Sequence, residues 1–315
     1  MMQFELVRYS SDKAHEWDQF INEAWNGVFL FYRGFMDYHA DRFTDHSLMA
    51  YCNGKLKAVL PANEKDGILW SHQGLTYGGW ALSNRFSVVD LQTLFGEMEA
   101  YAAAQSFQRI EYKHKPFVFE KHANDADAWV LWNSGYEMWR RDLSFYFDLK
   151  NHGGFARDKR YRFNKSTRNN LRLDTKGDVH QYMALVNQNL VSKYQTSAVH
   201  TPEEVLLLQK RFPNNCQTIS VYQEERFLGG SWLFIDNDFI HTQYLHFNDE
   251  GRDLCAAEFL IGHLMEQYGA TKRYLNFGTS TDNNGQELNV GLASFKEGFG
   301  AAGFCHDFYR KDICR

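Results

Sequence analysis

The stretch that decides the fold runs from Gln217 to Phe247, "QTISVYQEERFLGGSWLFIDNDFIHTQYLHF". It contains three runs rich in β-branched and aromatic residues: QTISVYQ, FLGGSWLFI and DFIHTQYLHF. Glu224-Glu225-Arg226 separates the first two, and Asp236-Asn237-Asp238 separates the last two. Polar turn residues between such runs predict a three-strand meander joined by hairpins. Downstream, about Leu254 to Tyr268 reads as a helix, with Phe259, Leu260, His263 and Leu264 on its packed side. "RYLNFG" is then a further strand, a glycine- and asparagine-rich turn and a short helix follow, and "FCHDFY" closes the unit.

The first half of the chain follows the same order. "SLMAYC", the Asn53-Gly54 turn, "KLKAVLPAN", a turn at Glu64 to Gly67 and "ILWSHQ" form a meander. A helix over about Val88 to Gln105 places Leu91, Leu94, Phe95, Met98 and Ala102 on one face. "RIEYKH" is a strand, about Lys121 to Trp132 a helix, and "RDLSFYFDL" a closing strand. The third strands begin at Ile68 and Phe239, and the next equivalent strands begin near Arg109 and Arg273. This near-constant separation indicates two copies of one α+β unit. The expected boundaries are 1–150 and 176–315, with a basic segment over 151–175. Each half opens with helices: Asp12 to Trp25 in the first, His180 to Tyr194 and Pro202 to Phe212 in the second. Thr201-Pro202-Glu203-Glu204 is a strong helix start.

The 315 residues, 44% of them apolar and 16% aromatic, suffice for two cores. Four prolines leave no room for long polyproline linkers, and a net charge of -5 gives no bulk attraction for nucleic acid or membrane. No apolar run reaches the roughly 20 residues of a membrane helix. The start of the chain has no basic-then-apolar signal pattern. Cys52, Cys216, Cys255, Cys305 and Cys314 are scattered and odd in number, as expected of free thiols in a reducing cytosol.

Two copies of such a unit, together with "FMDYHADRFTDHSL", "SHQGLTYGG", "RDKRYRFNKSTRNNLR" and "LNFGTSTDNNGQELNVGLASFKEGFG", resemble the tandem GNAT-fold, FemAB/FemX-like N-acyltransferases. The resemblance covers nearly the whole chain. It implies two tandem GNAT-like domains, each a mixed, mainly antiparallel sheet flanked by helices. It further implies a cytoplasmic transferase that moves an acetyl or aminoacyl group to an amine on a cell-wall or polysaccharide precursor. The co-substrate is acyl-CoA or aminoacyl-tRNA, so tRNA is a candidate partner, and no metal is expected. The alternatives are an aminoacyl-tRNA-dependent peptidyltransferase of FemX type and a non-catalytic binding module. Oligomeric state is not legible.

Acyl transfer to an amine needs a held donor, hydrogen-bond donors for an oxyanion, a proton acceptor and aligned reactants. In GNAT enzymes the loop after the fourth strand wraps the coenzyme A pyrophosphate at a helix N-terminus. The matching loop here is Asn248 to Asp253. Gly251 and Arg252 fit that role, whereas Asn248 and Asp253 depart from the pattern and nearby acids repel phosphate. Tyr244 and His246 share one face of the preceding strand, and either could take the amine proton. By its place in the motif, the Phe295-Lys296 pair is the counterpart of a pair linked to the tetrahedral intermediate in the FemX-like branch. The alternative is a lysine whose stem packs on aromatics.

In the basic segment, Arg160, Asn164, Arg168 and Arg172 would follow one helix side, with Lys165 nearby. Such a helix could hold a pyrophosphate, a tRNA backbone or a lipid-linked headgroup, or could be a solvated connector. In the first half, Ser71, His72, Gln73 and Tyr77 are candidate acceptor contacts, or parts of a structural turn. "HADRFTDH", His39 to His46, looks metal-like, but its spacing matches no familiar ligand set; a hydrogen-bonded turn is the competing reading.

Overall fold

A computed structural model describes residues 3–151 and 153–313. Of the thiols read as free, Cys52, Cys216 and Cys255 are buried and Cys305 is exposed; Cys314 lies outside the described residues. The chain divides into two compact units. One is drawn from Met1–Leu143, Asp282–Glu287 and Cys305–Arg315, the other from Ser144–Thr281 and Leu288–Phe304. The strands Glu137–Asp148 and Ala302–Asp312 each contribute residues to both. No helix among the described residues is long and apolar enough to cross a membrane.

In the first unit, Leu48–Cys52 and Lys55–Leu60 pair antiparallel around Asn53-Gly54, with Glu5–Arg8 outside one strand and Ala81–Leu82 outside the other. The run "KLKAVLPAN" is not one strand. Lys55–Leu60 ends at Pro61, and Asn63–Lys65 joins a different sheet, pairing with Ile68–Trp70. Pro61 has no N–H for a ladder, so the run breaks there. Ile68–Trp70 then lies parallel to Arg109–Lys113 through Ile68↔Arg109, Leu69↔Ile110 and Trp70↔Glu111. The helix Val88–Ala104, capped by the Ser87 hydroxyl on the Asp90 N–H, buries the expected face of Leu91, Leu94, Phe95, Met98 and Ala102. That face packs with Leu48, Ala58, Leu60, Trp80, Ile110 and Tyr112.

The second unit contains the meander from which the reading began. Cys216–Gln223, Arg226–Asp236 and Phe239–Phe247 are consecutive antiparallel strands, with Leu171–Asp174 outside the first. Phe239–Phe247 runs parallel to Tyr274–Thr279, which in turn pairs antiparallel with Ser144 to Asp148. Thr201 and Glu204 form a complete capping box for Pro202–Arg211. The helix expected over about Leu254 to Tyr268 is Ala256–Tyr268; the stretch before it, read as a loop, holds a short helix of its own, Asp249–Asp253, and Cys255 at φ +61° separates the two.

The basic segment also departs from expectation. Its helix spans only Arg157–Ser166, so Arg168 lies in the following turn and Arg172 on the strand Leu171–Asp174. The Thr167 hydroxyl bonds back to the Asn164 carbonyl, Asn169 Nδ2 donates to the Leu254 carbonyl, and Asn170 takes φ +50°. These contacts end the helix and dissolve the four-residue stripe. The remaining helix is docked firmly. A Cβ on Gly262 would lie 2.1 Å from Phe163 Cε2, so glycine is what admits that ring.

Within "HADRFTDH", the two histidines have separate settings. His46 lies between Glu64 (3.2 Å) and Tyr101 (2.9 Å). His39 stacks on His72, with ring centroids 5.1 Å apart, and both are buried. Burial, with Arg42 adding to it, pushes the His39 imidazole down to about 4, and burial with His39 and Lys113 pushes His72 well below its usual range. Both are neutral in the fold at pH 6.5, while the unfolded chain begins to take up protons there. Stability contributed by this pair is therefore complete above about pH 6.5 and declines as pH falls toward 4, by about 1.4 kcal/mol per pH unit for each histidine. Urea unfolding midpoints measured across that window should drop steeply, and the drop should be shallower in His39→Gln. An identical slope in the variant would contradict the assignment.

Candidate functional site in the second unit

The parallel strands Phe239–Phe247 and Tyr274–Thr279 stay together for only three residue pairs: Phe239↔Tyr274, Ile240↔Leu275 and His241↔Asn276. Just beyond, the register of Phe239–Phe247 against Arg226–Asp236 shifts, skipping Gln243. The register of Tyr274–Thr279 against Ser144 to Asp148 shifts between Asn276 and Gly278. Bulges on both strands bend them and end their pairing. Past that point Leu245, His246 and Phe247 line a cleft of about 370 Å³. Its other walls include Asn189 and Lys193 from Val179–Tyr194, Arg252, and Leu292 and Phe295 from the helix Val290–Glu297.

Lys296 is adjacent to this cleft in sequence but is not in its lining. Its side chain is buried, and Nζ donates to the carbonyls of Gly278 (2.9 Å) and Thr279 (2.5 Å). Burial alone pushes its amine down to about 7. Asn276 sets the geometry of those carbonyls. Its Oδ1 accepts from the Gly278 N–H at 2.7 Å and lies 2.8 Å from His241 Nδ1. Gly278 has φ +71°, a conformation that favours glycine, and there a Cβ would also lie 3.5 Å from the His241 ring. Asn276 itself is fully buried, and its Nδ2 has no acceptor.

Phe295 presents its ring to the cleft and meets Phe299 edge-on at 5.1 Å. Lys159 Nζ lies 4.1 Å from the Phe295 ring centroid. The Phe295 amide is the sixth of Val290–Glu297, where N–H groups are bound within a helix. It is therefore not an open oxyanion donor. At the helix start, Asn289 Oδ1 accepts from the Leu292 N–H and the Asn289 carbonyl from the Ala293 N–H. Val290 and Gly291 are the first two helical positions, whose amides lack intrahelical acceptors.

His246 lines the cleft and is pushed down to about 4 by burial, Lys193 and Arg252. It is a neutral imidazole at pH 7 and can accept a proton. Tyr244 lies elsewhere: its hydroxyl is 3.0 Å from His200 Nδ1, its ring stacks near Trp232, and burial pushes it up to about 12.

The loop expected to hold a donor's phosphates is internally satisfied. The Gly251 N–H donates to Asn248 Oδ1 at 2.7 Å, and a Cβ there would lie 2.5 Å from the Leu228 carbonyl oxygen. The Arg252 guanidinium bonds the Phe247 carbonyl and pairs with Asp249. Glu258, the third residue of Ala256–Tyr268, is 1% exposed, so its carboxylate occupies the start of that helix. Lys159 Nζ and Arg162 Nε each lie 2.7 Å from its Oε1. Burial opposes ionisation, but these cations and the Glu258 amide outweigh it and hold the carboxyl below its usual range. Sequence reading missed this group. Its signal was a lone acid inside the apolar run "CAAEFLIGHL", where a buried charge requires a partner.

The remaining sequence candidates are distributed as follows. Arg160 is exposed and reaches the Phe155 carbonyl; Lys165 donates to the Asp253 carbonyl; Arg168 is exposed. In the first unit, Ser71 and His72 line a separate pocket, while Tyr77 is buried against Phe119 at 4.2 Å and is not among that pocket's lining residues. No group of three or more His, Cys, Asp or Glu placed to hold a metal occurs among the described residues.

No family model matches the chain, and no curated protein matches it. Solved structures do. A structure of FemX shares 11% identity at a TM-score of 0.69, covering 98% of this chain and 97% of that one. L-PGS from Bacillus licheniformis shares 12% at 0.62, covering 98% and 93%. A tandem GNAT protein from the clavulanic acid biosynthesis pathway shares 8% at 0.52, covering 99% of each chain. With the parting parallel strands and the repeated α+β plan, these likenesses over nearly full length establish the architecture: the chain has a FemX-like tandem GNAT fold.

Proposed function

We propose that the protein is an N-acyltransferase that takes an aminoacyl group from an aminoacyl-tRNA and passes it to an amine on a cell-wall or polysaccharide precursor. The observation that carries the choice of donor is the buried Glu258 carboxylate, bound by Lys159 and Arg162 at the start of Ala256–Tyr268. A helix N-terminus attracts an anion, and here the chain supplies its own. With the Gly251 amide capped by Asn248 as well, the loop is ill-suited to a coenzyme A pyrophosphate. An aminoacyl ester needs no phosphate at that point. Arg160 and Arg168, both exposed, and Tyr161, 71% exposed, offer a charged and aromatic surface for an RNA backbone.

In this reading the acceptor amine attacks the ester carbonyl carbon in the Leu245–Phe247 cleft. A C–N bond forms, the ester C–O bond breaks, and the departing hydroxyl takes up a proton as the amine loses one. His246, neutral at pH 7, relays that proton. Lys296, one residue from Phe295, supplies positive charge toward the oxyanion while it is protonated. The first unit takes the acceptor side and the second unit the donor chemistry.

Four outcomes test it. Lys296→Met should reduce aminoacyl transfer about 100-fold or more while leaving the circular dichroism spectrum unchanged; wild-type turnover would remove Lys296 from the chemistry. The lowered amine also has a stability signature. Between about pH 7 and 10.5 the unfolded chain binds more protons than the fold, so wild-type stability should rise with pH across that window. The Met variant should lack that rise. Glu258→Gln leaves two cations without their acid and should cost about 3 kcal/mol of stability. Charged tRNA should stabilise the wild type in a salt-sensitive manner, and acetyl-CoA should not. Stabilisation and turnover with acetyl-CoA would replace the proposed donor. No transfer from any acyl donor would leave a binding module.

A further inference from the structure

The first unit has a pocket of its own, of about 180 Å³, beside the parallel pair Ile68–Trp70 and Arg109–Lys113. Trp70, Trp139 and Phe308 give it aromatic walls, and Glu111, Lys113 and Arg140 bring charge to it. Their charges are not evenly matched. Arg140 is bound through Nε and Nη2 to both oxygens of the buried Asp142, at 3.1 and 2.6 Å, with its guanidinium 4.3 Å from the Phe308 centroid. Lys113 has no acid in ion-pair contact; the Asp142 charge reaches it only from a distance. Its Nζ donates only to the carbonyls of Leu75 and His72, and no carboxylate pairs with it among the described residues.

The hydrogen-bonding groups are also skewed toward donors. The Trp70 indole N–H is buried with no acceptor among the described residues. The Trp139 indole faces the Glu111 carboxyl without closing a well-formed hydrogen bond. Glu111 is 6% exposed, and burial pushes its carboxyl above the usual range, toward the neutral form. A cation without an acid in ion-pair contact and an unanswered indole N–H both favour one kind of occupant. Flat aromatic walls favour a planar or apolar body on it.

We propose that this pocket binds a small ligand group carrying an anionic oxygen, a carboxylate or a phosphate, on a flat or apolar body. Lys113 neutralises the anion, the Trp70 indole donates to it, and Trp139 and Phe308 cover the body. Glu111 disfavours a second negative charge and so helps set how much charge the site accepts.

Isothermal titration calorimetry of the full chain at pH 7 tests this with benzoate, phenyl phosphate and the neutral analogue benzamide. Benzoate or phenyl phosphate should bind at one saturable site, and the tighter of the two identifies the anion. Benzamide should bind at least about thirtyfold more weakly, and Lys113→Met should lose a similar factor for the anions. Glu111→Gln should bind the anions more tightly, a change that a purely structural role for the pocket would not produce. If the Met variant fails to fold, the benzamide comparison and Glu111→Gln decide the matter. Equal binding of benzoate and benzamide, or no saturable binding of either anion, overturns the proposal. The readout involves no turnover, so failure here leaves the Lys296 reading intact, and failure of acyl transfer leaves this site intact.

Discussion

Three residue pairs hold Phe239–Phe247 against Tyr274–Thr279, and the second unit's cleft depends on the pairing stopping there. Parallel strands that stay paired present backbone only to each other. Strands that part expose side chains and main chain along two diverging edges, which is what a ligand needs. Two local devices enforce the parting: the register shift at Gln243 and the Asn276–Gly278 turn. The second device also aims the Gly278 and Thr279 carbonyls at Lys296. One buried asparagine thus links strand geometry to the environment of the amine. The cost is an Nδ2 without an acceptor, as polar groups at strained functional positions often show.

The meander was legible in the sequence because its information is local. Turn residues at Glu224 to Arg226 and Asp236 to Asp238 sit between β-prone runs, and each hairpin partner is the next strand. The helix start at Thr201 was legible for the same reason. Errors arose where a distant residue decides. Asn169 ends its helix partly by bonding Leu254, 85 residues away, and no helical periodicity could reveal that. Pro61 was a different kind of miss: its signal was present, but a continuous β-prone run on either side outweighed it.

The candidate site divides along the same line. Phe295, His246 and Arg252 all line one cleft, because strand and helix positions near a glycine-rich turn can be read from chain order. What could not be read was which groups had already found partners. Lys159 and Arg162 looked like free cations in a basic run, yet both converge on a carboxylate 99 and 96 residues later. Tyr244 looked equivalent to His246 on one strand face, yet its hydroxyl lies at His200. Alternation places side chains on a face; only packing says whether they are engaged.

The two units now make an instructive contrast. Each has a short parallel strand pair with a cavity beside it, at equivalent points of the repeated plan. In the second unit the buried charge is answered from within: Glu258 sits where an anion would be favourable, and two cations hold it. In the first unit Lys113 has backbone carbonyls and, among the described residues, no acid in ion-pair contact. A buried ammonium without a counter-charge is destabilising for the empty fold, and nothing in hairpin or helix formation requires one at that position. One unit thus carries an internal carboxylate held by two cations, and the other an ammonium contacted by backbone carbonyls.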